Sequence, residues 1–169
     1  IFLIDEAHNL LDRGREMYSA SLIKDSFLLL NRALEEEEKG SLLGKEGYAV
    51  RMAKQLERCN RELLYLKREC DGALVVQEID DFVQVLLRLH AIMDDYLDEQ
   101  ETGEPKVRDS LLDFYFEISH FLEMYELVDE NYVKYTQLLE DGRFLLKLLC
   151  VNPAENLKEC MARGRSSIL

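Results

Sequence analysis

The sequence contains no tryptophan, only two prolines and only four cysteines. Proline breaks helices, so its scarcity beside abundant Leu, Glu, Arg and Lys favours a mainly helical fold. The cysteines lack the C-x-x-C spacing typical of metal and redox sites, and a chain of 169 residues needs no disulfides. Free thiols and a cytoplasmic location are therefore expected. No apolar run approaches the roughly 18 residues that a membrane span needs.

Positive charge is also scarce. The 34 acidic and 21 basic side chains give a formal net charge of -13. Such a field repels phosphate, which argues against nucleic-acid or anionic-membrane binding over the whole surface but leaves room for a local basic patch. With 47% hydrophobic and 33% charged residues, the chain is expected to form one globular domain rather than a disordered segment.

Three apolar stripes occupy the middle of the sequence. Hydrophobic residues recur in each at alternating spacings of three and four, which places them on one helix face, as in coiled-coil-like bundles. The stripes are Met52, Leu56, Cys59, Leu63, Leu66 and Cys70; Val75, Ile79, Phe82, Leu86, Leu89, Met93 and Tyr96; and Val107, Leu111, Phe114, Ile118, Phe121 and Tyr125. Their short links predict antiparallel neighbours. A shorter helix is expected from an N-cap at Asp25 to about Glu38.

The pattern changes after residue 130. Residues 132–139 are rich in aromatic and β-branched side chains, and Asp141-Gly142 is a turn signal, so we predict a β-hairpin over residues 132–151. Pro153 suits the first turn of a last helix that ends near Gly164. Residues 17–23 are expected to be extended or irregular.

The first eight residues, Ile-Phe-Leu-Ile-Asp-Glu-Ala-His, carry the chemistry. An apolar run that fits a buried strand ends there in two acids, which is the Walker B arrangement. Asp5 would hold Mg²⁺ through its water shell, and Glu6 would orient or deprotonate the attacking water. ATP and Mg²⁺ are therefore the expected cofactors. The alternative interpretation is an acidic N-cap that follows a buried strand.

The string Ile4-Asp5-Glu6-Ala7-His8-Asn9-Leu10 resembles the DEAH box of the XPD/DinG family of superfamily 2 DNA helicases. Near the other end, residues 148–153 and 163–169 are similar to the segment that leads into motif III of that family. The resemblance implies an ATP-dependent 5′→3′ DNA helicase of the kind used in DNA repair, in which His8 couples ATP to the nucleic acid. It also implies that the middle is the arch domain, a helical insertion that helps to enclose and gate single-stranded DNA.

The resemblance divides the chain into four parts. Residues 1–12 are the Walker B strand and DEAH box of a RecA-like motor domain, and residues 13–130 are the helical arch insertion. Residues 131–152 are a β-hairpin returning to the motor domain, and residues 153–169 are the helix and strand leading to motif III. The expected fold class is thus mainly α, a helical bundle with a small β-hairpin, whose terminal strands are neighbouring stubs of a RecA-like sheet.

A phosphate-binding loop is missing from the sequence. The nearest match to G-x-x-x-x-G-K-[ST], at residues 40–46, is one residue short and has Glu46 in place of the Mg²⁺-binding hydroxyl. Because nothing here would cradle the phosphates, we expect the chain alone to be inactive and a full-length parent enzyme to be the ATPase.

The remaining cysteines and histidines are expected to be structural. In the resembled family the iron–sulfur cysteines lie upstream of the DEAH box, so the parent can carry a cluster that this segment does not bind. Cys59 and Cys70 belong to an apolar stripe and should pack in the core, and the other two cysteines lack cluster spacing. His90 and His120 flank apolar stripes and should be partly buried packing residues.

One basic stripe contrasts with the acidic composition. Residues 47–70 carry six basic and three acidic side chains, a net charge of +3. A row of cations with one aromatic side chain suits a single-stranded DNA backbone with base stacking. The alternative is an ordinary solvated face in which Glu57 and Arg61 pair. The basic stripe consists of Arg51, Lys54, Arg58, Arg61, Tyr65 and Arg68.

Three functional hypotheses stay open. The first is the helicase arch domain, with single-stranded DNA and the remaining motor domains of the same chain as partners, a protein docked on the arch as a further one, and no membrane. The second is an acidic helical protein-interaction module without catalytic activity. The third, an acidic DNA mimic, rests on net charge alone. The first ten residues favour the helicase, because an interaction module does not need them.

Overall fold

The structure is a computed structural model, and it describes residues 2–3, 7–40, 46–99, 105–163 and 167–168. Within them the chain is mainly helical, with a small antiparallel sheet. In chain order the elements are β1 (Phe2–Leu3), a 3₁₀ turn (Ala7–Asn9), α1 (Leu10–Met17), β2 (Ala20–Ile23), α2 (Lys24–Gly40), α3 (Glu46–Glu69), β3 (Ala73–Val75), α4 (Asp80–Glu99), α5 (Pro105–Glu126), β4 (Tyr132–Leu138), β5 (Phe144–Cys150), α6 (Ala154–Ala162) and β6 (Ser167–Ile168).

The four long helices form a bundle. Helix α3 packs against α2 and α4, and α5 packs against α4 and α2. Neighbours run antiparallel: Tyr48 near the start of α3 meets Tyr96 near the end of α4, with ring centroids 6.1 Å apart. The predicted bundle of long helices is therefore confirmed. Helix α2 belongs to it as a full member, since its Phe27, Leu30 and Leu34 are all buried.

Aromatic rings join three of these helices at the centre of the bundle. Phe27 of α2 meets Phe114 of α5 edge to face at 4.8 Å and Phe82 of α4 at 6.2 Å. Phe82 in turn meets Phe121 of α5 at 6.3 Å. Edge-to-face pairs of this kind add stability beyond the burial of apolar area. The core thus rests on contacts between helices that are distant in sequence.

The predicted hairpin is confirmed as β4 and β5, which pair from Tyr132–Cys150 to Leu138–Phe144. Its turn contains Gly142 at a φ of 82°, a left-handed conformation that favours glycine. Asp141 accepts a hydrogen bond from the Arg143 backbone N–H at 3.0 Å and stabilises the turn. The hairpin forms the middle of a four-stranded sheet in the order β2-β5-β4-β3.

The prediction of an extended or irregular segment over residues 17–23 is confirmed for Ala20–Ile23, which form β2 and pair with β5, whereas Met17 still belongs to α1. The strand β3 departs from the sequence predictions. Val75 was assigned to the second apolar stripe, and that assignment is wrong: it lies in β3, and its helix begins only at Asp80. The reason is Gly72, whose φ of 85° turns the chain so that β3 can pair with β4. Asp25 also lies in the first turn of α2 rather than at its cap.

The sheet covers one side of the bundle. Alternate residues of β5 are buried, and Phe144, Leu146 and Leu148 belong to the same hydrophobic core as the helices. Helices α2 and α5 both pack against β5, and α5 also packs against β2. One continuous core therefore holds the bundle and the sheet together.

The two ends of the chain meet in a parallel strand pair. Phe2 is paired with Ser167 and Leu3 with Ile168. This confirms the prediction that the terminal strands are neighbours. Parallel strands need a crossover connection between them, and here the connection contains the whole bundle and the antiparallel sheet. Among the helices that the structure describes, none combines the length and the apolar character needed to cross a membrane.

The aromatic core gives a direct test of this packing. Phe121 is fully buried, whereas Phe116 on the same helix is 61% exposed. Phe121→Ala should lower the free energy of unfolding by about 3–5 kcal/mol, because it leaves a cavity between α4 and α5. Phe116→Ala, the matched control, should cost less than about 1 kcal/mol. Urea unfolding followed by circular dichroism measures both, and equal losses would contradict the arrangement.

Candidate functional site

The predicted catalytic residues stand between β1 and the first helical turn. Asp5 and Glu6 lie outside the described residues. His8 is exposed in the 3₁₀ turn Ala7–Asn9, which runs directly into α1. Strand β1 pairs in parallel with β6. The DEAH box follows the carboxyl end of β1 in the sequence, and α1 follows the DEAH box. The carboxyl ends of parallel strands are where open α/β sheets bind ligands.

Helix α1 packs closely against the start of α6. Gly14 of α1 is buried, and a methyl group in its place would lie 2.9 Å from Leu157 Cδ1 and 3.2 Å from Pro153 Cγ. A larger residue at this position would force the Leu157 side chain to move. The helix that follows the DEAH box and the helix that precedes β6 consequently come close together at Gly14.

Hydrogen bonds attach the end of α1 to the end of β5. Arg15 Nε donates to the Val151 carbonyl at 2.9 Å. The Ser19 hydroxyl donates to the Arg15 carbonyl at 2.6 Å and accepts from the Cys150 N–H at 2.9 Å. Sequence reasoning missed Arg15 and Ser19. No motif marks them, since their partners at the end of β5, Val151 and Cys150, lie more than 130 positions away.

A second set of hydrogen bonds ties α6 to the same region. Tyr18 donates from its hydroxyl to the Asn156 carbonyl at 3.3 Å. The Asn156 amide donates to the Tyr132 hydroxyl, also at 3.3 Å. Burial raises the pKa of Tyr132 to about 12, with the Cys150 thiol as a further cause. The neutral phenol is thus the form that this interior accommodates.

The structure places all six residues of the basic stripe on the exposed surface of α3. Tyr65 is 60% exposed, so its ring is open for stacking. Arg51 lies over the Tyr48 ring at 5.5 Å. Arg58 donates to Gln55 Oε1 at 3.2 Å, and buried Gln55 is itself anchored to the Val85 carbonyl of α4. Two of the cations are therefore held against α3 by neighbouring side chains.

The stripe is not neutralised by the acidic surface around it. Within the part of the chain that the structure describes, none of its five cations forms an ion pair with an acidic side chain. The alternative interpretation was an ordinary solvated face in which Glu57 and Arg61 pair. Both side chains are exposed, as that interpretation expects, but among the described residues they do not pair with each other. The exposure of the stripe therefore agrees with a solvated face as well as with a binding track.

The cysteines are free thiols, and Cys59, Cys70 and Cys150 are buried. The prediction that Cys59 and Cys70 pack in the core is confirmed. Burial raises the pKa of Cys59 to about 12 and also raises the pKa of Cys150. Metal and cluster ligands must be thiolates, so these sites disfavour ligation. Among the described residues, no group of three or more His, Cys, Asp or Glu side chains is placed to hold a metal ion.

The two remaining histidines differ. His90 is half-buried and stacks on Tyr115 at 4.7 Å, as expected of a packing residue. Its Nε2 lies 2.8 Å from the Ser119 hydroxyl, but that hydroxyl donates to the Tyr115 carbonyl and is not activated as a nucleophile. The expectation of partial burial is wrong for His120, which is exposed on α5, at the edge of the core, and whose Nε2 lies 3.1 Å from the Ser19 carbonyl.

A cleft of about 460 Å³ opens beside this last contact, between α1, α5 and the edge strand β2. Arg15 and Lys147 bring positive charge to its wall, and Glu16 and Glu117 bring negative charge. Burial, with Asp113 nearby, raises the pKa of Glu117. The opposing charges favour no single class of ligand.

The raised pKa of Tyr132 predicts a loss of stability in alkali. Because its pKa rises from 10.0 to about 12 on folding, the neutral phenol stabilises the fold fully below pH 10. That contribution should disappear as pH rises from 10 to about 12. Tyr132→Phe, which cannot ionise, should lose less stability over this interval than the unchanged chain. Tyr65→Phe, which changes an exposed ring, is the control and should behave like the unchanged chain. Urea unfolding at a series of pH values measures the free energy of unfolding of all three proteins. An identical fall of that free energy in all three would contradict the assignment.

No protein-family model and no curated protein sequence matches the chain.

Proposed function

We propose that this chain is the arch insertion of an ATP-dependent, XPD/DinG-like 5′→3′ DNA helicase, together with the DEAH box that precedes the insertion. The observation that carries the proposal is the parallel pairing of β1 with β6. A chain that leaves a parallel sheet, builds a separate core and returns to the neighbouring strand is organised as an insertion. Insertions with adjacent ends are well tolerated by the domain that receives them.

In the proposed enzyme, Asp5 holds Mg²⁺ and Glu6 orients or deprotonates the attacking water. Mg²⁺ supplies charge neutralisation at the phosphates of ATP when it is bound. The exposed position of His8, in the turn that enters α1, is consistent with a coupling role towards the nucleic acid. The phosphate-binding loop and the remaining motor domains would come from the rest of the parent chain. An iron–sulfur cluster in the parent would be bound upstream of these residues.

Single-stranded DNA is the proposed partner of the basic stripe. The stripe runs along α3 for about 25 Å, given a rise of 1.5 Å per residue. Its five cations are exposed, and Tyr65 offers a ring for base stacking. Single-strand binders combine these features, a positive track with aromatic side chains. Because the chain as a whole is acidic, binding would be confined to this track and would orient the strand along α3.

The alternative, an acidic helical protein-interaction module without activity, explains less. It gives no reason for the terminal strand pair or for acids that follow an apolar strand. A protein partner docked on the arch is compatible with the helicase and forms part of the proposal. We further propose a cytoplasmic enzyme, because its buried cysteines are all unpaired.

The catalytic assignment is tested in the full-length parent. Glu6→Gln should lower the Mg²⁺-dependent rate of ATP hydrolysis by about 100-fold or more, because general-base catalysis contributes a factor of that size. Glu16→Gln, the same change at an exposed position on α1, is the control and should retain activity. Phosphate release with saturating ATP measures both rates. Full activity of Glu6→Gln, or a parent without ATPase activity, would refute the proposal.

The DNA assignment is tested by charge reversal in the same parent. Arg58→Glu combined with Arg61→Glu should weaken binding of a single-stranded oligonucleotide by about tenfold or more, because two phosphate contacts are lost. The dependence of log K on log salt should become shallower by about 1.4, or 0.7 for each contact. Fluorescence anisotropy over a salt series measures both quantities.

The matched control reverses two exposed arginines outside the stripe, Arg32 on α2 and Arg88 on α4. It changes the net charge of the protein by the same amount. If the basic stripe is the DNA track, this control should bind nearly as well as the unchanged enzyme. Equal weakening in both double variants would mean that net charge alone, and not the stripe, governs binding.

A further inference from the structure

We infer that Ser19 is a positioning residue that connects the DEAH-box helix to the arch, so that movement at the nucleotide site reaches the DNA-binding bundle. This inference rests on the proposed function. Ser19 is half-buried between α1 and β2, and its hydroxyl and carbonyl bond to Arg15, Cys150 and His120, which lie outside the basic stripe. Its proposed role is to hold α1, β5 and α5 in one fixed arrangement.

The first connection is with the strand that returns from the arch. The ladder between β2 and β5 ends at the pair Ala20–Leu148. Beyond that pair, the Cys150 N–H donates to the Ser19 hydroxyl at 2.9 Å rather than to a backbone carbonyl of β2. The side chain of Ser19 therefore supplies one more hydrogen bond beyond the end of the backbone ladder. This bond holds Cys150, the last residue of β5, to the segment between α1 and β2.

The second connection is with α1 itself. The same hydroxyl donates to the Arg15 carbonyl at 2.6 Å. Arg15 reaches across with Nε to the Val151 carbonyl at 2.9 Å, and its guanidinium is also held by Asp12 at 2.9 Å. The last turn of α1 is thus bound twice to the end of β5. Helix α1 begins two residues after His8, so displacement of the DEAH box would act directly on this attachment.

The third connection is with the bundle. The Ser19 carbonyl is an acceptor only, so His120 Nε2 donates to it across 3.1 Å. His120 lies on α5 between Ile118 and Phe121, which are both fully buried in the core. Through α5 the core continues to α4 and then to α3, which carries the basic stripe. A single residue thereby touches the DEAH-box helix, the returning strand and the bundle.

The experiment measures ATP hydrolysis by the full-length parent with and without a single-stranded oligonucleotide. Ser19→Ala removes the shared hydroxyl. The hydrolysis rate without DNA should stay within about twofold, while stimulation by DNA should fall by about fivefold or more, the range of coupling between distant sites. Ser19→Thr keeps a hydroxyl and should restore stimulation. Ser21→Ala, at an exposed position on the same strand, is the control and should behave like the unchanged enzyme.

A second variant keeps the inference testable if Ser19→Ala folds poorly. Arg15→Gln breaks the bond to Val151 at a partly exposed side chain and should lower DNA stimulation in the same direction. A purely structural role would reduce both rates together, in proportion to the folded enzyme, and leave their ratio unchanged. An unchanged ratio in both variants would overturn the inference. A parent without any ATPase activity would instead refute the proposed function.

Discussion

The architecture depends on one constraint: the chain must come back beside the strand from which it started. The parallel pair of β1 and β6 has only two residues in each strand, and the 163 residues between Leu3 and Ser167 form the connection. Two paired residues on each side contribute little stability by themselves. The folded core between the two strands therefore has to bring them side by side and in the same direction.

Contacts beside the two terminal strands satisfy that constraint. Gly14 allows α1 and α6 to approach closely, and the hydrogen bonds of Arg15 and Ser19 fix the end of β5 against α1. Because these elements lie directly inside the two terminal strands, they set the direction in which each end leaves the core. In the proposed helicase, the same contacts connect the nucleotide site with the DNA track.

The distribution of charge sets the proposed DNA-binding track apart from the rest of the surface. A net charge of -13 disfavours nucleic acid over most of the surface, yet the five cations of the basic stripe are exposed without acidic partners among the described residues. A positive track on a negative body favours one path for the strand over many. Elsewhere, burial keeps Cys59 and Tyr132 in their neutral forms, so the interior contributes packing rather than reactive groups.

The sequence by itself determined the helical class, the hairpin and the faces of the long helices. These features depend on local periodicity and on turn residues such as Gly142, which act within a few positions. It also contains, in consecutive residues, the apolar run and the two acids from which we predicted a Walker B motif. The strand β3 was not predicted, and residues 17–23 were predicted only as extended or irregular, because three or four residues become a strand only when a distant partner offers its backbone. Val75 shows the same limit. Its spacing fits a helical stripe, but the left-handed conformation of Gly72 directs the chain so that β3, which contains Val75, pairs with β4.

Only the tertiary structure decided what Arg15, Ser19 and His120 do, because each meets partners 100 or more positions away.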